Sequence, residues 1–295
     1  MNPTLRRTAS AAANTVFTAL LIYFLIRPDK AAGPVADGII FCARSVVPSL
    51  FIFMVLSRRV MSSPSASRAC ARPVSGTALI VIIGIVCGFP TGAKLGLMLY
   101  ERGAVSKRRA EYLCAVGNNA SAGFIAAFAG KNVLGSAEAG FRLLAVELCA
   151  AAVTAAVLYP VYMKGEACSL PDRNLLPSGS DITEAVGDSA ITMVKICGFV
   201  ITFSLFGGLA ASLLPEGTAV RALVTGLFEF SSGIAAIKGM SPGTAFPLCA
   251  LLLGFGSLSV IMQTAAIIRG KLSVRPFLLA RVITASLMSA FALIS

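Results

Sequence analysis

The side chains of this chain best suited to chemistry lie inside apolar runs, at points where glycine or proline interrupts them. Thr91 and Lys94 fall in Gly88-Phe89-Pro90-Thr91-Gly92-Ala93-Lys94, and Asn118, Asn119 and Ser121 in Gly117-Asn118-Asn119-Ala120-Ser121. Glu229, Ser231 and Ser232 fall in Gly226-Leu227-Phe228-Glu229-Phe230-Ser231-Ser232-Gly233, and Ser257 and Gln263 in the run from Gly254 to Gln263. Such breaks release backbone groups that, in hydrocarbon, must be met by protein, water or a ligand. Broken membrane helices therefore gather at transport sites, and these ten side chains are the candidate substrate-binding residues.

Each has a functional and a plainer reading. Lys94 is seven residues before Glu101, about 10 Å at helical rise. It either snorkels to the headgroups or faces inward as the partner of an anion or carboxylate. Glu229 comes opposite Thr91 when Gly88 is aligned with Gly226. A lone carboxylate there needs a cation, a proton or a set of donors: a coupling Na+ or H+, the donor groups of a substrate, or a structural ion pair. Asn118 and Asn119 each carry two donors and an acceptor, suited to an unwound site or to helix–helix hydrogen bonds. Ser257 and Ser259 can bond back to their own helix, and Gln263, close to Arg269, is expected near the membrane boundary. Glu147 and Lys195, opposite in sign, are expected to pair, whereas Arg44, Arg142 and Arg221 are expected to snorkel.

Composition removes most enzyme chemistries. The chain has no His, so no Ser-His-Asp arrangement is available, nor is imidazole ligation of a metal. Eight cysteines include no C-x-x-C pair, so a metal permease using Cys87 and Cys197 lacks the usual ligand set. Gly88 to Lys94 is no phosphate loop, because Leu95 stands where Ser or Thr would hold magnesium. Neither catalytic residues nor a cofactor are expected.

The elements that must position these residues belong to a bilayer. The 295 residues are 57% hydrophobic and 13% charged, with mean hydropathy +0.85, in repeated apolar runs of spanning length. The net charge of +12 sits in short loops, where it marks the cytoplasmic face rather than a nucleic-acid surface. An all-α polytopic fold is expected, with about seven full spans at 11–26, 38–56, 110–130, 139–163, 188–211, 244–266 and 276–294. The first follows Arg6 and Arg7 and is read as a retained span rather than a cleaved leader. Segments 76–101 and 219–240 are apolar but broken in the middle, with arms too short to cross. Basic residues on both flanks of 76–101 make it a re-entrant hairpin from the cytoplasmic side.

Those assignments give a single membrane domain. Residues 1–37 are an extra N-terminal span, 38–163 a first repeat, 164–187 a cytoplasmic loop, and 188–295 a second repeat of inverted orientation. Leu113-Cys114-Ala115 is echoed by Leu248-Cys249-Ala250, each followed by a polar, glycine-containing break. The N-terminus is expected in the cytoplasm and the C-terminus outside. Paired discontinuous helices in inverted repeats place a substrate near the midplane.

The four separated motifs, in their order over residues 38 to the end, resemble those of the YlbJ-type sporulation integral membrane proteins. That family belongs to the nucleoside-recognition, or Gate-domain, group, similar to the membrane cores of concentrative nucleoside transporters and of the ferrous-iron transporter FeoB. The resemblance implies a multi-pass protein of the bacterial cell membrane, acting in spore cortex formation. Its expected partners are the lipid bilayer and an unidentified small solute, with Na+ or H+ as coupling ion and a homo-oligomer left open. The competing expectation is a non-transporting scaffold for sporulation proteins working through the 164–187 loop.

Overall fold

Proline and glycine set where the helices begin and end. The computed structural model describes residues 3–164, 181–268 and 270–294. Helix α1 spans Pro3–Ile26, and α2 (Asp29–Phe41) passes through a π-helical turn, Cys42–Val46, into α3 (Val47–Met61). After α4 (Pro64–Ala71) come α5 (Pro73–Cys87) and α6 (Thr91–Glu101), the arms of the first hairpin. Proline takes a first-turn position in α3, α4 and α5, where its missing N–H removes no helical bond.

Helix α7 (Lys107–Val116) stops at Gly117, and the chain is non-helical over 117–121 before it re-enters a helix that continues as a π-helical segment, Phe124–Val133. The span expected over 110–130 is thus broken at the polar motif. Helices α8 (Ala137–Met163) and α9 (Ile182–Ala211) follow. The Ser136 hydroxyl caps α8 by accepting the Ala139 N–H at 3.2 Å, satisfying one of the free donors of the first turn. Helices α10 (Ala219–Phe228) and α11 (Phe230–Ala236) make the second hairpin; α12 (Pro242–Phe255), α13 (Leu258–Ile268) and α14 (Arg275–Ile294) complete the chain. Most of the expected 164–187 loop lies outside the described residues, and from Ile182 the chain is already helical. No strand occurs among the described residues.

Four stretches are long and apolar enough to cross a membrane: Ala137–Met163, Ile182–Ala211, Pro242–Ile268 and Arg275–Ile294. The pair Asp29–Val46 and Leu50–Met61, bent by 50°, makes a fifth if it is one span. Large apolar side chains stand on the outside of these helices, among them Ile52, Phe141, Val157, Val194 and Leu293. Such a surface suits lipid, and the chain is a helical membrane protein.

Between the helices, glycine brings backbone against backbone. A Cβ on Gly84 of α5 or on Gly92 of α6 would collide with the Gly117 carbonyl, so both hairpin arms close on the break after α7. A Cβ on Gly233 would collide with Gly226, joining α11 to α10, and one on Gly254 would lie 2.7 Å from Ala285 Cα, joining α12 to α14. Small residues at such crossings supply the close packing that drives helix association in lipid. Gly92→Ala is expected to cost about 3 kcal/mol, since neither backbone segment can yield as a side chain would. Thermal unfolding in detergent should show a fall in Tm for Gly92→Ala and none for Gly123→Ala, where a Cβ meets open space.

Candidate functional site

The two hairpin tips are built by different devices and meet in the bundle interior. Gly88, with φ of +77°, ends α5 in a conformation other residues rarely adopt, and α6 restarts at Thr91. At the second tip α10 ends at Phe228 and Glu229 is extended, with φ of −143° and ψ of 112°. Its Oε2 accepts the Ser232 N–H at 2.9 Å and the Ser231 hydroxyl, capping α11. The other oxygen, Oε1, is buried and accepts nothing. Phe89 and Phe230 touch edge to face with centroids 5.7 Å apart, and Phe124 lies 5.2 Å from Phe230.

Behind these rings lies a cavity of about 50 Å³, with Gly88, Ser121, Glu229, Ser231 and Gln263 in its lining together with Ser45 and apolar residues of α2, α3 and α9. At roughly 10–15 Å³ per water-sized centre, it has room for a cation or a few waters. Drug-sized ligand sites are typically about 300–1,000 Å³, so the site as it stands is closed to a nucleoside-sized solute.

Four of the candidate residues, Ser121, Glu229, Ser231 and Gln263, therefore line one space. The rest are distributed around it. Gln263 is not at a boundary: it is buried, donates to Ser259 Oγ at 3.0 Å and lines the cavity, because α13 turns that face inward. Lys94 does not face Glu229. Its ammonium donates to the Asp188 carbonyl at 3.1 Å and the Thr192 hydroxyl at 2.5 Å, from the first turn of α6. Thr91 lines a small space beside Lys94, its hydroxyl buried and without a partner. Ser232 turns away to Ser204 of α9 at 3.0 Å. Ser257 caps α13, accepting the Val260 N–H at 3.3 Å.

The two amides tie the broken helices together. Asn118 donates to Thr264 of α13 at 2.9 Å, while its Oδ1 has no partner. Asn119 donates to the Val116 carbonyl at 2.9 Å and accepts from Arg281 at 3.0 Å. The hydroxyls of Thr154 on α8 and Thr284 on α14 meet at 3.0 Å nearby.

Arg281 is the residue that sequence reasoning missed. It is 1% exposed, and its guanidinium lies 5.5 Å from the Phe89 centroid and 5.7 Å from that of Phe277. A cation at the sixth residue past the start of α14 was the available signal, since ionisable groups inside membranes face the interior. Arg281 is also the cation whose field acts on Glu147. Glu147 is fully buried, with no hydrogen bond to either oxygen. The expected partner, Lys195, is exposed on α9, so the Glu147–Lys195 pair is not made; the cation that acts on Glu147 is Arg281, through space and without an ion-pair contact.

Cys87 and Cys197 are also apart. Cys87 Sγ donates to the Phe53 carbonyl at 3.6 Å, whereas Cys197 offers its own carbonyl to Cys42 Sγ at 3.9 Å. No group of three or more His, Cys, Asp or Glu able to hold a metal stands among the described residues. Comparison with family models, curated proteins and solved structures finds no match to this chain.

Removing one buried charge strands the other, which typically costs about 3–5 kcal/mol, whereas removing both is often nearly neutral. Arg281→Met should therefore lower Tm strongly in a detergent melt, and Arg281→Met combined with Glu147→Leu should recover most of the loss. Equal losses in the single and double variants would show that Arg281 acts through Asn119 and Phe89 alone.

Proposed function

We propose that this chain is a cell-membrane transporter of the Gate-domain kind, in which two re-entrant hairpins close on a small solute and Glu229 holds the coupling Na+ or H+. The observation that carries the reading is Glu229 Oε1, a buried carboxylate oxygen without a partner, in the lining of a cavity bounded by both hairpin tips. A carboxylate so placed favours a cation or proton. Sodium takes oxygen ligands, and the hydroxyls of Ser121 and Ser231 and the Gln263 amide offer them around the same space. The site is read as occluded, opening to solute when the aromatic contact between the tips parts.

The finer architecture belongs to this reading. The order helix, hairpin, broken span, helix occurs twice, with breaks at 117–121 and at Gly256. Counting α1, the α2–α3 pair and the two broken spans with α8, α9 and α14 gives seven crossings. Inversion of the repeats is supported by two surface cavities. One is lined by the Glu101 end of the first hairpin and by Asp188 and Ile267; another by Lys238 and Met240 after the second hairpin, with Gly135 and Leu293. The basic loops put the first of these in the cytoplasm, with the N-terminus, and leave the C-terminus outside. The role in sporulation rests on the motif resemblance.

Reconstituted proteoliposomes test the reading. With a Na+ or proton gradient, wild-type protein is expected to take up at least one member of a nucleoside and small-solute panel. Glu229→Gln should cut that uptake at least tenfold, and Asn118→Ala should give an intermediate loss. Wild-type uptake unchanged by Glu229→Gln would remove the carboxylate from the mechanism. Absence of any uptake, with sporulation lost on deletion of residues 165–180 but kept in Glu229→Gln, would favour the scaffold.

A further inference from the structure

A second cavity, distinct from the one at the hairpin tips, opens between α3, α6, α9 and α13. It has a volume of about 390 Å³ and is lined by Arg58, Lys94, Arg102 and Lys195, with Glu101 and Asp188 as its carboxylates. The carboxylates are already engaged. Asp188 is ion-paired with Arg58, which also has Glu184 at 3.8 Å, and Glu101 is held by Lys271 at 2.6 Å. Counting Lys271 with the four lining cations and Glu184 with the two lining acids gives five positive charges against three negative, an excess of two.

That excess sits on side chains with donors to spare. An ammonium has three N–H groups, and Lys94 uses two of them, on the Asp188 carbonyl and Thr192. Among the described residues Arg102 reaches the Met61 carbonyl at 3.4 Å and Ser62 Oγ at 3.3 Å, both long for a charged donor. Lys195 lines the cavity from an exposed position on α9. Leu97, Ile191 and Ile267 supply an apolar wall.

A neighbouring space of about 10 Å³ shares Arg58, Lys94 and Met98 with this cavity and has Thr91 in its lining. The Thr91 hydroxyl, on a residue 4% exposed, is buried without a partner. A cationic, partly apolar cavity thus adjoins a small space that holds an unused hydroxyl.

We propose that this cavity is a vestibule that binds the oxyanion, carboxylate or phosphate, of a small amphiphilic ligand, with Lys94, Arg102 and Lys195 as its charged partners. It stands on the cavity and its charges, whether or not Glu229 takes part in transport. The same oxyanion chemistry is offered by a free solute and by an anionic lipid headgroup, and the experiment separates them.

Full-length protein in neutral detergent at low ionic strength is dialysed to equilibrium against labelled benzoate and, separately, inorganic phosphate. Saturable binding of at least one is expected, at least fivefold weaker in Lys195→Gln and in Arg102→Gln and lost in the double variant. Lys131→Gln, exposed and away from the cavity, should bind as wild type. Nanodiscs of phosphatidylcholine, with or without phosphatidylglycerol, identify the source: probe binding suppressed by phosphatidylglycerol, together with loss of co-purified phosphatidylglycerol in the double variant, assigns the site to the headgroup. Binding that persists in phosphatidylglycerol discs assigns it to a free solute. No saturable binding of benzoate, phosphate or phosphatidylglycerol to a cooperatively unfolding protein overturns the vestibule, as does binding that Lys131→Gln weakens as much as Lys195→Gln. Probe binding without uptake in proteoliposomes would keep the vestibule and remove the transport reading.

Discussion

A buried guanidinium fixes how the two halves of this molecule meet. Arg281 on α14 donates to Asn119 in the break after α7 and lies against Phe89 at the first hairpin tip. A charge so placed has no water to turn to, so its neighbours must be arranged around it. Asn119 is tied to α14 through its side-chain Oδ1, and Phe89 stays at the interface because the cation lies over its ring. Phe89 in turn meets Phe230 of the second tip, and its ring end is 3.6 Å from where a Cβ on Gly256 would stand. Arg281 and Phe89 together thus link both breaks and both tips.

Around that centre, polar groups freed by broken helices are met by a small set of repeated solutions. Side-chain oxygens cap restarted helices at Ser121, Glu229 and Ser257. Amide and hydroxyl pairs cross between elements at Asn118 with Thr264 and at Thr154 with Thr284. Among the buried atoms these leave unmatched, besides those of Glu147 and Arg281, are Glu229 Oε1, Asn118 Oδ1 and Thr91 Oγ1. Buried polar atoms are normally satisfied, and these three lie on or beside the hairpin tips.

Much of the architecture was legible because helix breakers carry it. The helix breaks expected within 76–101 and 219–240 fall between α5 and α6 and between α10 and α11, since Gly88 and an extended Glu229 end helices by local geometry. The break at 117–121 was legible for the same reason. What was not legible is direction. Charge sign suggested Glu147 with Lys195, but a helix position decides which face a side chain takes, and Lys195 faces outward. Distance along the chain put Gln263 near a boundary, yet α13 buries it. Lys94 has the right depth for the tip cavity and the wrong side of α6. Arg281 drew no reading, although a cation inside the apolar run 276–294 was there to be weighed.

The glycine contacts divide the first half of the molecule into joints of unequal stiffness. Gly84 and Gly92 abut the Gly117 backbone with no side chain between, leaving nothing there that can rotate or compress. The first hairpin and the unwound segment it grips must then move together or not at all. Across the seam at Phe89 and Phe230, contact is between rings, which can slide over one another without breaking a hydrogen bond. The interior thus joins a rigid backbone wedge to an aromatic seam, with the Asn118–Thr264 and Asn119–Arg281 hydrogen bonds as the polar ties between them.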